Sequence, residues 1–500
     1  MGLRQVIELT NDFCYVLTQI ERGGIHIDLK ALDQLEVGTQ ARCDALHAEM
    51  QLMAQDAMGD TPINLNSNEQ MSMLLFSRGV KDKGAWATEI GFYTNQNKFE
   101  KLRLTQQMSL KRFVWLVQNN MRVLYKTKKI VCGECKGTGK SVSNKTNRKI
   151  NCPTCKATGV DYHNTERVAG FRVTPKKDYL SNNGFASSND VIEEILKDKK
   201  LNDKAKRFLT MLNEYRKLNN YLSTSIGGIR RGLVGATLHG NFNQSITATG
   251  RLSSSNPNLQ NFPRGSTFPI KKVFTSRFKD GIIADADMSQ LEFRAAAELA
   301  GDNKAIQDII NGIDIHMLSA DALGISRQEA KAETFAPLYG ASRDWGLMER
   351  YPTLKKWHTS LIDEAVRKKS ITLPTGRVYY FPNIKRTSYG CSQQTKVKNY
   401  PVQGFATADI VPAIIIELYN ELIEYESYIC STIHDSVIID IKPEEYKEVI
   451  KIVHDVMNDG KGIMKRRFDI DITVPLAAEI KVGANGYDTK KITLKEINND

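Results

Sequence analysis

The segment IHDSVIID, residues 433–440, places β-branched residues on both sides of a polar pair. Ile433 precedes the pair, and Val437, Ile438 and Ile439 follow it. A run of this kind suits two strands of a packed sheet. His434 and Asp435 then form the tip of a hairpin with a two-residue turn. An ionised carboxylate held among apolar strands is costly unless it is paired or binds a metal. A polar turn alone would satisfy the segment, so the rest of the chain decides whether Asp435 carries chemistry.

Two other segments bear on Asp435. GIIADADMSQLEFRAAAELAG (281–301) runs from an apolar strand, Ile282 to Ala286, through Asp287 into a helical pattern. Asp287 therefore sits at a strand end, where a carboxylate can reach a cleft. Asp285 faces the same side by strand alternation, and residue chemistry does not choose between the two. RQEAKAETFAPLYG (327–340) spaces Arg327, Lys331, Phe335 and Tyr339 by four, so they line one helix face. Cations there could hold a triphosphate, and aromatics could stack on a base. Pro337 removes an amide donor and costs about 3 kcal/mol in a regular helix interior, which predicts a kink or an early helix end near Phe335. Two aspartates, one closing a strand and one at a hairpin tip, are the ingredients of a site for two Mg2+ about 3.5–4 Å apart, which serves in-line phosphoryl displacement.

Four of the eight cysteines form two close pairs, in CGECKGTGK (132–140) and CPTCKATG (152–159). Cys132, Cys135, Cys152 and Cys155 suit one tetrahedral, structural Zn2+, with glycines that let the backbone turn its amides toward sulfur. A four-thiolate site is closed, so no chemistry is expected there. Gly139-Lys140-Ser141 invites a phosphate-loop reading, but the glycine required five residues earlier is Glu134, and the reading fails. The scattered Cys14, Cys43, Cys391 and Cys430 read as ordinary buried thiols.

Five hundred residues suffice for two to four domains or subdomains. The net charge of +12, with clusters such as Lys204, Lys206, Arg207 and Lys465, Arg466, Arg467, favours a polyanionic partner, nucleic acid above all. No membrane span and no signal peptide are read, which gives a cytoplasmic expectation.

Four ordered blocks resemble the A-family DNA polymerases, the bacterial DNA polymerase I type with its bacteriophage members. TATGRLSSSNPNLQNFP (247–263) is similar to the family's template-primer segment, DMSQLEFR (287–294) to its motif A, RQEAKAETFAPLYG to its motif B and IHDS (433–436) to its motif C. NYPVQGFATAD (399–409) and DIH (314–316) add to the match, and INLNSNEQMSMLLFS (63–77) and EYRKLNNYLST (214–224) resemble the thumb more loosely. The resemblance implies an α+β right-hand fold with an antiparallel palm sheet, helical fingers and helical thumb. It implies that Asp287 and Asp435, with the Met288 carbonyl, bind two Mg2+. Arg327 and Lys331 would grip the triphosphate, Lys331 counting among the catalytic residues, with Gln290 and His316 as further contacts. Phe335 and Tyr339 would face the incoming base, and Glu292 would exclude a 2′-hydroxyl. Arg251, Asn258, Gln260, Asn399, Gln403 and His434 match positions that contact template-primer. The implied partners are primer-template DNA and dNTPs, with a replication protein or processivity factor at the cysteine insertion, and the chain is expected to be monomeric.

The same resemblance exposes departures. Ser436 replaces the glutamate common in motif C, and Thr395 lies where many members have arginine. The VQGFATAD stretch is one residue longer than the bacterial pattern. Thumb-like sequence begins almost at residue 1, so a 3′→5′ exonuclease activity is not expected, and a bacteriophage source, in a host cytoplasm, fits so compact a form. The segments divide as thumb and palm-entry helices 1–79, an insertion 80–185 with its zinc-ribbon core at 128–165, thumb helices 186–234, palm 235–300, fingers 301–395, and palm again 396–500. The competing expectations are a single-subunit RNA polymerase-like enzyme and a catalytically silent DNA-binding replication subunit.

Overall fold

The computed structural model describes residues 2–60, 63–76, 124–143, 146–168, 170–176, 179–181, 184–263, 265–341, 344–388, 390–493 and 496. The chain forms two compact units, Met1–Glu36 with Ser223–Asp500, and Val37–Leu222. Part of the expected insertion, residues 80–123, lies outside the described residues.

The first unit is built on a five-stranded antiparallel sheet. Its middle strand is Ile282–Met288, flanked by Ser436–Ile441 on one side and Ala478–Gly483 on the other. Tyr428–Ile433 and Lys490–Lys491 form the edges. Alternation sorts the middle strand. Ala284, Ala286 and Met288 are buried in the core, whereas Asp285 and Asp287 share the other, half-buried face. Helix Tyr446–Asn458 packs on this strand and on Ala478–Gly483. The quoted segment is a hairpin in which Ile433 pairs with Ser436, leaving His434 and Asp435 as the two-residue turn. His434 takes φ +64°, the left-handed conformation that such a tip requires. The segment's second aspartate, Asp440, is 1% exposed and is satisfied by the Ser276 hydroxyl, the Arg277 amide at 2.9 Å and the Tyr428 hydroxyl at 3.1 Å.

Helix Gly2–Gly23 stops at Gly23-Gly24, and the short strand Ile25–Ile27 follows. Its face of Val6, Leu9, Phe13, Val16, Leu17 and Ile20 has helical period and packs on helix Val411–Leu422. Burying each large apolar side chain contributes about 1.5–3 kcal/mol. The extra residue of the VQGFATAD stretch has a structural counterpart. Helix Gln394–Gln403 runs into a π-helical segment, Gly404–Ile410, and on into Val411–Leu422. A π turn takes up one surplus residue without ending a helix. This 29-residue helix is long and apolar enough to cross a membrane by length and composition, but 83% of its apolar window is buried inside the protein.

In the second unit, helix Asn68–Phe76 starts within the polar stretch Asn66 to Glu69, and helices Asn189–Leu196 and Asp203–Asn220 follow later in the chain. Their core includes Met71, Leu74, Phe171, Phe208 and Leu212, with Phe171 and Phe208 rings 4.5 Å apart. Within the insertion, Leu124–Val131 pairs with Val160–Val168, and Lys140–Val142 with Lys149–Asn151. Of the four scattered cysteines, Cys43, Cys391 and Cys430 are buried, but Cys14 is exposed, on the side of its helix that faces away from the apolar stripe.

Candidate active site

Strand register brings the two sequence-distant aspartates together. Asp287 is the cross-strand partner of Ser436, the residue after Asp435. The Met288 amide donates to the Asp435 carbonyl at 3.2 Å, tying the hairpin tip to the end of the middle strand. Both carboxylates are half-buried oxygen donors at one end of the central strands, a donor set that fits a hard divalent cation. Asp285, on the same face, is engaged elsewhere: it accepts from the Ser436 hydroxyl at 2.5 Å and lies 3.6 Å from the Lys271 ammonium.

Glu292 sits in the first turn of the helix that follows, Leu291–Ala300. The Tyr339 hydroxyl donates to its carboxylate. Burial pushes the Glu292 carboxyl up to about 7, with the Asp435 charge adding to the rise and Arg251 opposing it. One glutamate thus senses residues from three of the matched blocks. Gln290 caps this helix in the left-handed conformation, and its side chain reaches the Ile315 amide at 3.5 Å.

Helix Arg327–Leu338 carries the predicted stripe. Its start is a capping box of Ser326 and Glu329, readable in the sequence as Ser-x-x-Glu. Phe335 and Tyr339 stack nearly parallel, with centroids 5.6 Å apart and planes 9° apart, and His316 meets Phe335 edge-on at 5.3 Å. His316 is 6% exposed, and burial lowers its pKa, with the charges of Arg327 and Lys331 acting the same way against Asp314. Arg327 is held by Asp314 at 2.7 Å, and Asp314 also caps helix Ile315–Leu323. The expected break near Phe335 is displaced. The helix continues through Pro337 to Leu338, and the Tyr339 amide still reaches the Phe335 carbonyl at 2.9 Å. Pro337 lies so close to the end that only the last turn feels its missing donor.

The template-primer residues divide into two groups. Arg251 Nε and Gln260 Nε2, like Nδ1 of the nucleotide-contact candidate His316, are buried polar atoms without a hydrogen-bond partner among the described residues. Asn258 instead uses its side chain to cap the short helix Leu259–Asn261. Asn399 and Gln403, one turn apart, are half-buried on the helix that packs against Leu291–Ala300. His434 occupies the hairpin tip.

Sequence reasoning missed the support beneath this loop. Asp409, fully buried in the π segment, accepts from Arg377 Nε at 2.8 Å and from the Thr375 hydroxyl at 2.7 Å. Arg377 lies against Gly250, where an added Cβ would stand 3.0 Å from its guanidinium, and the Tyr379 hydroxyl donates to the Thr249 carbonyl at 2.7 Å. These bonds hold Thr249-Gly250-Arg251 in place. An aspartate inside an apolar helical run was the available signal.

A second candidate site lies in the insertion. The sulfurs of Cys132, Cys135, Cys152 and Cys155 are buried and lie within 4.8 Å of one another. Cys132 and Cys152 sulfurs are 3.8 Å apart, and those of Cys135 and Cys155 are 3.6 Å apart. Tetrahedral zinc with bonds of about 2.3 Å would set its sulfurs about 3.8 Å apart. The Gly139 and Gly159 amides donate to the Cys135 and Cys155 sulfurs, each at 3.3 Å. Both glycines have positive φ, and a Cβ on either would lie 2.4 or 2.3 Å from a carbonyl oxygen of the opposite knuckle. Lys140 begins a strand here, in keeping with the failed phosphate-loop pattern.

Comparison with known proteins follows the same lines. The chain is 30% identical to DNA polymerase I of Geobacillus stearothermophilus over 342 residues, which is 61% of this chain and 37% of that protein. It is 30% identical to DNA polymerase I of Bacillus caldotenax over 345 residues, 62% of this chain and 37% of that protein. The chain thus spans little more than a third of the length of these relatives. Its fold is similar to the POL domain of Pol1 from M. smegmatis, solved in complex with DNA primer-template and dNTP, with a TM-score of 0.63 and 18% identity over 95% of this chain and 70% of that one. The family described as DNA polymerase family A matches residues 170–348 and 346–488, which take in four of the five sheet strands, the hairpin and the stripe helix, and to that family the chain belongs.

Proposed function

We propose that the chain is a template-directed DNA polymerase that adds dNTPs to a primer 3′-hydroxyl. The observation that carries this reading is the convergence of Asp287 and Asp435 at one end of the central strands, with the Met288 amide bonded to the hairpin tip. Asp287, Asp435 and the Met288 carbonyl would hold two Mg2+, which when bound lower the pKa of the attacking hydroxyl and stabilise charge on the departing pyrophosphate. Arg327 and Lys331 hold the triphosphate from the exposed side of their helix. Asp314 keeps the Arg327 guanidinium from wandering while leaving donors for phosphate. Phe335 and Tyr339 offer stacked faces to a base. The Tyr339–Glu292 bond fixes a wall where a 2′-hydroxyl would have to fit, which favours deoxynucleotides. Neutral His316, and the buried Arg251 and Gln260 donors, supply polar contacts for substrate. Minor-groove acceptors vary little with sequence, so such contacts test pairing shape without reading a code.

Primer extension with Mg2+ tests this. Extension with dNTPs and loss of nearly all of it in Asp435→Ala is the expected result. Equal extension by the variant would overturn the assignment, and preference for rNTPs would favour an RNA polymerase.

The cysteine cluster fits one structural Zn2+, and the knuckles would be held by it. Purified protein should contain about one equivalent. Less than half an equivalent, with no other thiophilic metal, would refute the site. Around the cluster, Lys128, Lys129, Lys136, Lys140, Arg148, Lys149 and Lys156 are exposed. This surface suits a phosphate backbone, which is how the insertion would take part in synthesis.

A further inference from the structure

Ser436 is only 3% exposed, yet it follows Asp435 directly and is the cross-strand partner of Asp287. A buried hydroxyl needs a partner, and this one donates to Asp285 Oδ1 at 2.5 Å. Asp285 stands two residues before Asp287 on the same face of the middle strand. Its second oxygen faces Lys271 at 3.6 Å, and Lys481 is its cross-strand partner on the other side. The Ser436 carbonyl is also fixed, by the Thr432 hydroxyl at 3.1 Å. The hairpin strand that follows Asp435 is thus pinned, through one short bond, to a carboxylate on the strand of Asp287 that the proposed reaction does not itself use.

We propose that Asp285 is the outer carboxylate of the two-aspartate centre, a positioning residue that grips Ser436 and adds its negative charge beside Asp287. The inference rests on the functional reading above and deepens it. Where the sequence resemblance leads one to expect a glutamate on the hairpin strand, this chain has a hydroxyl there and a carboxylate on the neighbouring strand. Acid and hydroxyl face each other across the ladder, and the acid sits one strand over. Partners that orient metal ligands commonly affect cation affinity by tenfold or more.

The two roles of Asp285, bond and charge, are separable. Asp285→Asn retains an acceptor for Ser436 but removes the charge. Ser436→Glu sets two carboxylates against each other. The double variant Asp285→Ser with Ser436→Glu restores an acid–hydroxyl pair with the strands exchanged. Binding of Mn2+ to the protein, without DNA or nucleotide, would be measured by calorimetry beside thermal melting and primer extension. Asp285→Asn should bind Mn2+ roughly tenfold more weakly while melting close to the parent. Ser436→Glu should lose both affinity and melting temperature, and the exchanged pair should recover most of both. Unchanged Mn2+ affinity in Asp285→Asn would overturn the inference, as would an exchanged pair no better than the sum of its single changes. Asp435→Ala serves as the reference. If it loses Mn2+ binding and extension while the Asp285 variants do not, only this inference fails. If Asp435→Ala keeps both, the two-aspartate reading falls with it.

Discussion

Glu292 is pressed from several sides: burial and the Asp435 charge favour its neutral form, and Arg251 favours the anion. Its carboxyl titrates near 7 when folded and near the ordinary glutamate value of about 4.3 when unfolded. Between those values the folded chain holds the extra proton, so this group's contribution to stability is greatest in acid and declines as pH rises toward 7. Glu292→Gln, which keeps an acceptor for Tyr339, removes that decline. In chelator, the variant should be more stable than the parent at pH 8 by about 1–2 kcal/mol, allowing for the partial exposure of the group, and equal to it at pH 4. Denaturant titrations at the two pH values read this directly. At this scale the sequence is candid about residue types and silent about partners. Alternation puts Asp285 and Asp287 on one face and cannot rank them. The ranking needs the third dimension, in which Ser436 and Lys271 engage Asp285. Asp314 was visible only as part of a short motif, and its bond to Arg327 depends on the packing of two helices.

Among the elements, the hairpin, the stripe helix and the two cysteine knuckles were legible because each rests on local rules. Hairpin tips, helix faces and Cys-x-x-Cys turns are fixed by residues within a few positions of one another. Pro337 was misjudged in position, since a proline near a helix end removes only a donor of the last turn. The surplus residue in VQGFATAD was noticed, but its remedy was not. A π segment keeps the helix running and, by widening one turn, leaves Asp409 facing Arg377 and Thr375. Removing one residue, Ala406, should return the segment to α geometry and turn Asp409 away from its partners. Loss of a buried ion pair of this kind costs about 3–5 kcal/mol. Unfolding by urea should show a midpoint lowered accordingly, and the same loss in Asp409→Ala would tie it to the pair. A deletion as stable as the parent would dissociate the π turn from this clamp.

The whole molecule is basic, and its partner class follows from that charge more readily than its boundaries do. Compact units meet the chain at Glu36–Val37, inside helix Leu29–Met58, and at Leu222–Ser223, inside a π-helical stretch, Tyr221–Ile226. Neither place has the glycine- or proline-rich look of a linker, so composition could not reveal them. Charge supports a prediction at this scale. Binding to primer-template should weaken steeply with salt, by close to one power of concentration per phosphate contacted. Deleting residues 128–165 should lower that slope by several units if the seven exposed cations of the ribbon touch DNA. An unchanged slope would assign the ribbon to another partner.

The bond between the hairpin tip and the middle strand also bears on how the protein folds. The Met288 amide meets the Asp435 carbonyl only when the hairpin lies in register beside the middle strand, and the two strands come from distant parts of the chain. Local helices and the cysteine knuckles can form early, but this pairing must await the closure of a long loop. A nascent chain therefore lacks the proposed two-aspartate site until the hairpin strands have been synthesised and docked. Competence to bind Mg2+ at the two aspartates would mark the end of folding, and a slip of a single residue along the ladder would set Ala286 where Asp287 belongs.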